Sequence, residues 1–347
     1  MRRYIPLLLC GLCILFVVLA TLLYTMSRAG QKDQSSRFVP VTKTLTVYTT
    51  MPAEMASIIA NEYREETSVQ INFIPVDRAE MRRHIESGDF NNADMVLSDS
   101  PFLMQMAEAG ELAGSISEQE DIVGSEFKAE DNKWIGIWYD PVVFCYNEDY
   151  VKNNWYIPLS WQELSEQQNI RISMTDFMAA SAAANILYSM NAAFGTEQTL
   201  AIMKDIHPKV VRYAKYLSTP MRMAGMSEAD VAVGVQSEAL KYIHDNYPLA
   251  VVYPRDGTAY QLTSAGILSD SRQKEEANSF IQWLLGDEVH RALQNSQYYY
   301  VPTNYSSLTY KEFAGKNIKF FAPSGLPDAA AEKALLDAWV KQVRLTD

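Results

Sequence analysis

The chain has 347 residues, 48% of them hydrophobic and 21% charged, with 30 Lys+Arg against 42 Asp+Glu and a formal net charge of -12. Ordinary Gly and Pro contents with 11% aromatics exclude a disordered, collagenous or coiled-coil chain, and the length suits two lobes of roughly 150 residues each. The acidic balance excludes a nucleic-acid binder, which needs a basic face to replace the phosphates' counterions.

Residues 5–26 carry no charge and follow Arg2 and Arg3. A run of that length crosses a bilayer as a helix, and the leading arginines keep its start in the cytoplasm, which places the rest of the chain outside. Ser27-Arg28-Ala29 also offers small residues for cleavage, so residues 1–30 read either as a signal peptide or as a membrane anchor. Residues 31–43 read as a linker. Arg2, Arg3, Arg28, Lys32, Arg37 and Lys43 against Asp33 give the first 43 residues +5, which leaves -17 for the exported part. Cys10 and Cys13 read as small apolar residues of the membrane run. Cys145 is then the single exported cysteine, a buried thiol with no disulfide partner.

Residues 45–48 form a strand, followed by the turn Thr49-Thr50-Met51-Pro52 and a helix to residue 66, with Thr49 or Thr50 placed to cap it. Residues 69–76 and 94–97 are further strands, with helices over 78–86, ending near Gly88, and over 102–109, stopping at Gly110. Three successive β-α units imply a parallel sheet. Residues 134–146 read as two β segments hinged at Asp140-Pro141, and residues 170–175 as a strand before a small-residue helix over 179–190. A helix over 196–206 stops at His207-Pro208, apolar strands follow at 231–235 and 249–253, and helices at 273–285 and 328–343 close the chain.

No nucleophile elbow, zinc-protease, phosphate-loop or dinucleotide-binding motif occurs, and His84, His207, His244 and His290 are isolated. Nothing in the sequence proposes an enzyme, a cofactor or a metal site. What recurs is hydroxyl residues at strand-to-helix turns: Thr49-Thr50, Ser98 and Ser100, Ser173 and Thr175, Ser218-Thr219. At the carboxyl ends of strands in an open α/β sheet, helix N-termini offer unpaired N–H groups and a partial positive charge, which suits an anionic ligand. Each turn taken alone is equally an ordinary helix cap.

The segments LTVYTTMPAEM, ADMVLSDSPFLMQMAEAGEL, GIWYDPVVFCYNEDYV, PLSWQEL, RISMTDF, VAVGVQSEAL, LAVVYPRDGT and ANSFIQWLLGDEVHRAL, in this order, resemble the extracellular solute-binding proteins of ABC importers. The branch is the one that takes ferric ion, phosphonates, sugar phosphates and thiamine. The resemblance implies an α/β, two-lobed periplasmic-binding-protein-like (type II) clamp with interlobe crossing strands. Residues 44–137 plus 256–347 would form the first lobe and 138–255 the second. It implies a monomer on the outer face of the cytoplasmic membrane that hands a small solute to permease subunits without covalent chemistry. An alternative is a membrane-anchored subunit that senses the ligand. Matched position by position, the resemblance places ligand contacts at Thr49, Thr50, Ser98 and Asp99 of the first lobe and at Thr175, Asp176, Ser218 and Thr219 of the second. Tyr139 and Asp140 lie at one crossing, Tyr253 and Arg255 at the other, with Ser181 nearby. Arg255 is the residue to clasp a phosphate or carboxylate by two hydrogen bonds. Ferric binders carry adjacent tyrosines after the strand matching 231–235, where this chain has Gln236-Ser237-Glu238; Tyr298-Tyr299-Tyr300 falls in a segment expected to pack against the lobe.

Overall fold

A computed structural model of the chain describes residues 43–114, 120–313, 316, 318–321 and 329–346. The expected export segment over 1–30 and nearly all of the linker lie outside the described residues, among which no helix is long and apolar enough to cross a membrane. The strands are β1 (Lys43–Thr49), β2 (Val69–Pro75), β3 (Met95–Asp99), β4 (Ile135–Asn147), β5 (Ile172–Thr175), β6 (Val210–Ala214), β7 (Val231–Val235), β8 (Leu249–Val252), β9 (Tyr260–Ile267) and β10 (Val301–Pro302). They pair in the order β2-β1-β3-β9-β4-β7-β5-β6, with β8 and β10 added alongside β4. β2, β1 and β3 are parallel and joined by the helices Ala53–Thr67 and Arg78–Ser87, as successive β-α units require. Gly88 and Gly110 end their helices at φ 66° and 77°, the left-handed cap that glycine adopts without steric cost.

β4 joins the two halves. Its first part pairs with β9 down to Pro141 opposite Tyr260, and its second part starts with Val142 opposite Val235 of β7. The sequence predicts two segments hinged at Asp140-Pro141; the structure has one continuous strand of 13 residues, all buried, and what changes at Pro141 is the neighbour. Proline suits that handover because it has no N–H to leave unpaired.

Two large apolar cores flank this crossing. One draws on residues 45–139 and 262–301; the other draws on 142–259 together with Phe321, Leu335, Trp339 and Val343. A smaller group around Val143, Cys145 and Met221 covers the opposite face of the second half. The helix Ala329–Trp339 and its wide last turn, Val340–Arg344, therefore pack into the second core, whereas the family resemblance implies that 256–347 belong to the first lobe. Leu335, Trp339 and Val343 recur every four residues on one face, and Trp339 seats against Phe177 at 4.7 Å and Tyr213 at 5.8 Å. Cys145 is a free, buried thiol that burial pushes up to about 12.

Candidate functional site

A cavity of about 390 Å³ opens where the two halves face each other across the β4–β9 crossing, a volume that suits a small solute. The first half contributes Thr50, Glu54, Ser98, Asp99, Gln261, Thr263, Tyr298 and Tyr300; the second contributes Leu217, Ser237, Glu238 and Lys241, and Asp140 lies between them. The turns after β1 and β3 touch, with the hydroxyls of Thr50 and Ser98 2.7 Å apart. Asp99 accepts from Gln261 Nε2 at 2.7 Å and from the Arg78 guanidinium.

Asp140 bridges the crossing to the second half, accepting the Ser237 N–H at 2.9 Å and the Ser237 hydroxyl at 2.5 Å. Burial pushes its carboxyl up to about 7, although both Ser237 bonds favour the charged form. Burial also raises Glu238, against the pull of Lys241. Glu238 Oε2 is buried and has no hydrogen-bond donor, an acceptor that costs about 1–3 kcal/mol while it stays unpaired. Tyr300 is stacked on Trp138 at 6.1 Å, and burial holds its phenol protonated.

Five helices begin at this cavity: Ala53–Thr67, Ser100–Ala109, Ser181–Phe194, Ser218–Gly225 and Gln236–His244. The first turn of Gln236–His244 is capped by Asp140, which accepts the Ser237 N–H; the other four have no side-chain cap from the residue that precedes them. Elsewhere Asp77, Asn147, Ser160 and Ser307 cap helices, while Thr196–Ile206, Lys274–Leu284 and Asp287–Asn295 also start without a side-chain cap. The cavity thus faces the partial positive charges of helix N-termini as well as four carboxylates, Glu54, Asp99, Asp140 and Glu238. Lys241 is the basic side chain on the wall. Among the described residues no group of three or more His, Cys, Asp or Glu is placed to hold a metal ion.

Of the residues singled out by sequence, Thr50, Ser98, Asp99 and Asp140 line the cavity. Thr49 is buried behind it and does not cap the following helix: its hydroxyl accepts the Met51 N–H at 3.1 Å, and Thr50 is engaged with Ser98. Tyr139 packs into an aromatic group with Phe127 at 5.0 Å and Phe320 at 5.3 Å. Thr175 donates to the Tyr216 carbonyl at 3.4 Å. Asp176 accepts the Met178 N–H at 2.9 Å and pairs with Arg344 at 3.3 Å. Ser181, Ser218 and Thr219 start helices whose neighbours Ala182 and Leu217 are the residues that reach the wall. Tyr253 donates to Gln236 Oε1 behind the wall, and Arg255 is exposed on a loop with its N–H bonded to the Leu159 carbonyl at 2.8 Å.

Ser237, Glu238 and Lys241 follow β7 at a strand-to-helix turn, the signal used for the other turns, but here sequence drew notice only to the missing tyrosine pair. Gln261 and Thr263 sit on β9, whose Thr-Ser-Ala-Gly run carries little strand character in sequence.

Residues 44–298 match the family described as bacterial extracellular solute-binding protein. An uncharacterized protein of Haemophilus influenzae is 26% identical over 194 residues, which span 54% of this chain and 56% of that relative's length. Iron uptake protein A1 of Synechocystis sp. is 25% identical over 277 residues, 73% of this chain and 75% of its own. Among solved structures, the periplasmic binding protein AfuA from Actinobacillus pleuropneumoniae, with fructose-6-phosphate bound, aligns over 88% of this chain and 100% of its own with TM-score 0.68 and 22% identity. Iron-bound HitA from Pseudomonas aeruginosa aligns over 85% and 99% with TM-score 0.70 and 22% identity. The fold is therefore the two-lobed α/β clamp of the periplasmic binding proteins.

Proposed function

The chain belongs to the bacterial extracellular solute-binding proteins, and we propose that it closes on a small solute carrying one anionic group on a hydroxyl-rich body, such as a sugar phosphate, for delivery to an ABC permease. The observation that supports this is the two-sided chemistry of one cavity. The N-termini of Ala53–Thr67, Ser100–Ala109 and Ser218–Gly225, which no side chain caps, and Lys241 provide donors and positive charge for an anionic head. Glu54, Asp99, Asp140 and the unpaired Glu238 oxygen provide acceptors for hydroxyl donors. An anion alone leaves the carboxylates facing it; a polyol alone leaves the helix ends bare. The -17 carried beyond residue 43 makes long-range attraction of an anion unfavourable, so capture acts at short range, where the field of the remaining surface is screened.

Ferric ion is the second reading, supported by Tyr298 and Tyr300, which line the same cavity as Glu54 and Glu238. Titration calorimetry of the full chain separates the two. Hexose phosphates are expected to bind at least tenfold more tightly than the parent hexoses, and ferric citrate to give no heat. Binding of ferric ion with no response to any phosphorylated polyol overturns the reading. The N-terminus of the native protein then bears on role: cleavage after Ala29 counts against a membrane-anchored sensor.

A further inference from the structure

Arg82 and Glu332 belong to different cores and yet meet. Arg82 lies on the helix Arg78–Ser87, whose Met81 and Ile85 are buried in the first core; Glu332 lies on Ala329–Trp339, whose Leu335 and Trp339 are buried in the second. Arg82 Nη2 donates to Glu332 Oε2 at 2.8 Å, with the side chains only 23% and 16% exposed. The guanidinium also lies over the Phe102 ring, 5.9 Å from its centre, which limits the conformations it must give up to make the bond. Tyr188, on the second-core helix Ser181–Phe194, stands close enough to Glu332, Arg78 and Arg82 for all three to act on its phenol. Arg78 in turn bonds Asp99 on the cavity wall. At its far end the terminal helix is tied to the second core by Arg344, which pairs with Asp176 at 3.3 Å.

We infer that the terminal helix is an interlobe latch, rooted in the second core by Leu335, Trp339 and Val343 and holding the cleft shut by presenting Glu332 to Arg82 of the first. The inference rests on the clamp reading, since a latch acts only if the lobes separate. Its chemistry differs from that of the neighbouring Lys333–Asp337 pair, whose side chains are 77% and 46% exposed and which water screens in any state. Arg82 and Glu332 are enclosed when the lobes meet and regain water when they part, so the pair biases the open–closed ratio by a modest factor.

Hydrogen exchange of the full chain, with no solute added, tests this. Glu332→Gln and Arg82→Gln are each expected to speed exchange about three- to tenfold at the cleft-facing helix starts, residues 51–56 and 235–241, through a shifted open–closed equilibrium. The double variant should go no further than either single one, and Lys333→Gln should change nothing there. A rise confined to residues 329–344, or two effects that simply add, overturns the latch. Because no solute is present, that result leaves the sugar-phosphate reading untouched, and failure of the calorimetric panel leaves the latch untouched.

Discussion

The two lobes present the same local device, a hydroxyl residue at the carboxyl end of a strand, and use it differently. In the first lobe the turns after β1 and β3 lie side by side on adjacent strands, so Thr50 and Ser98 meet at 2.7 Å and open onto the cavity. In the second lobe the turn after β5 is taken up internally: Thr175 bonds the Tyr216 carbonyl, and Arg344 of the terminal helix pairs with Asp176. The cavity there is served by the turn after β7, through Ser237 and Glu238. A capping-type hydroxyl is available to a ligand only where no other part of the chain reaches it first, and that is a property of the packing around the turn.

The strongest way to break this comparison is to remove what covers the second lobe's turn. Trp339→Ala deletes a side chain that is 1% exposed and is expected to cost about 3–5 kcal/mol, read from urea unfolding; a loss under about 1 kcal/mol would mean the terminal helix is not part of that core.

Next comes the junction between the lobes. In the folded chain Asp140 stays protonated up to about 7, above the ordinary carboxylate range it regains on unfolding. Between those values the folded state holds the extra proton, so this group makes stability fall as pH rises, by up to about 1.4 kcal/mol per pH unit. His290 acts in the opposite sense: burial lowers it from 6.5 to about 4, so the unfolded state binds the extra proton and stability rises with pH over that window. The two offset each other in the native protein. Asp140→Asn removes Asp140's opposition to His290, and urea midpoints should then climb from pH 4.5 to pH 6.5 more steeply than in the native chain. Equal slopes would show that Asp140 does not titrate there.

Smaller effects follow on binding, all by calorimetry with the tightest hexose phosphate. Glu238→Gln is expected to weaken affinity about tenfold, close to 1.4 kcal/mol, because the acceptor with no protein donor loses its charge. Thr50→Val should cost about three- to tenfold, a hydrogen bond's worth. Thr175→Val should leave affinity within about twofold and lower stability instead by about 1 kcal/mol. If the two threonines behave alike, the contrast between the lobes is wrong. Arg255→Ala, at an exposed loop site, should change neither quantity measurably.

Much of the scaffold was legible in residues. The β-branched and apolar runs that become β1 to β3, β7 and β8, and the glycines that stop two helices of the first lobe, are short-range signals that survive packing. β9 was not, because the Thr-Ser-Ala-Gly run within Tyr260–Ile267 owes its strand state to the neighbours β3 and β4, and β6, Val210–Ala214, was missed despite its Val and Tyr. For the site, four of the thirteen residues singled out, Thr50, Ser98, Asp99 and Asp140, reach the cavity wall. Thr50, Ser98 and Asp99 sit at the ends of the adjacent parallel strands β1 and β3, where β-α order in sequence is also order in space. The others fall where long-range partners intervene: Tyr216, Arg344 and Gln236 bond Thr175, Asp176 and Tyr253.

What the sequence by itself determined is what short stretches can express: the alternation of strand and helix, the two-lobe length, the absence of a catalytic motif and the order of segments shared with a family. Tertiary structure alone decided which turns stay open. It brought Ser237 to Asp140 across 97 residues, moved the terminal helix onto the second core, and left one carboxylate oxygen of Glu238 without a donor. Burial and partner choice are sums over the whole chain, and no local pattern encodes them.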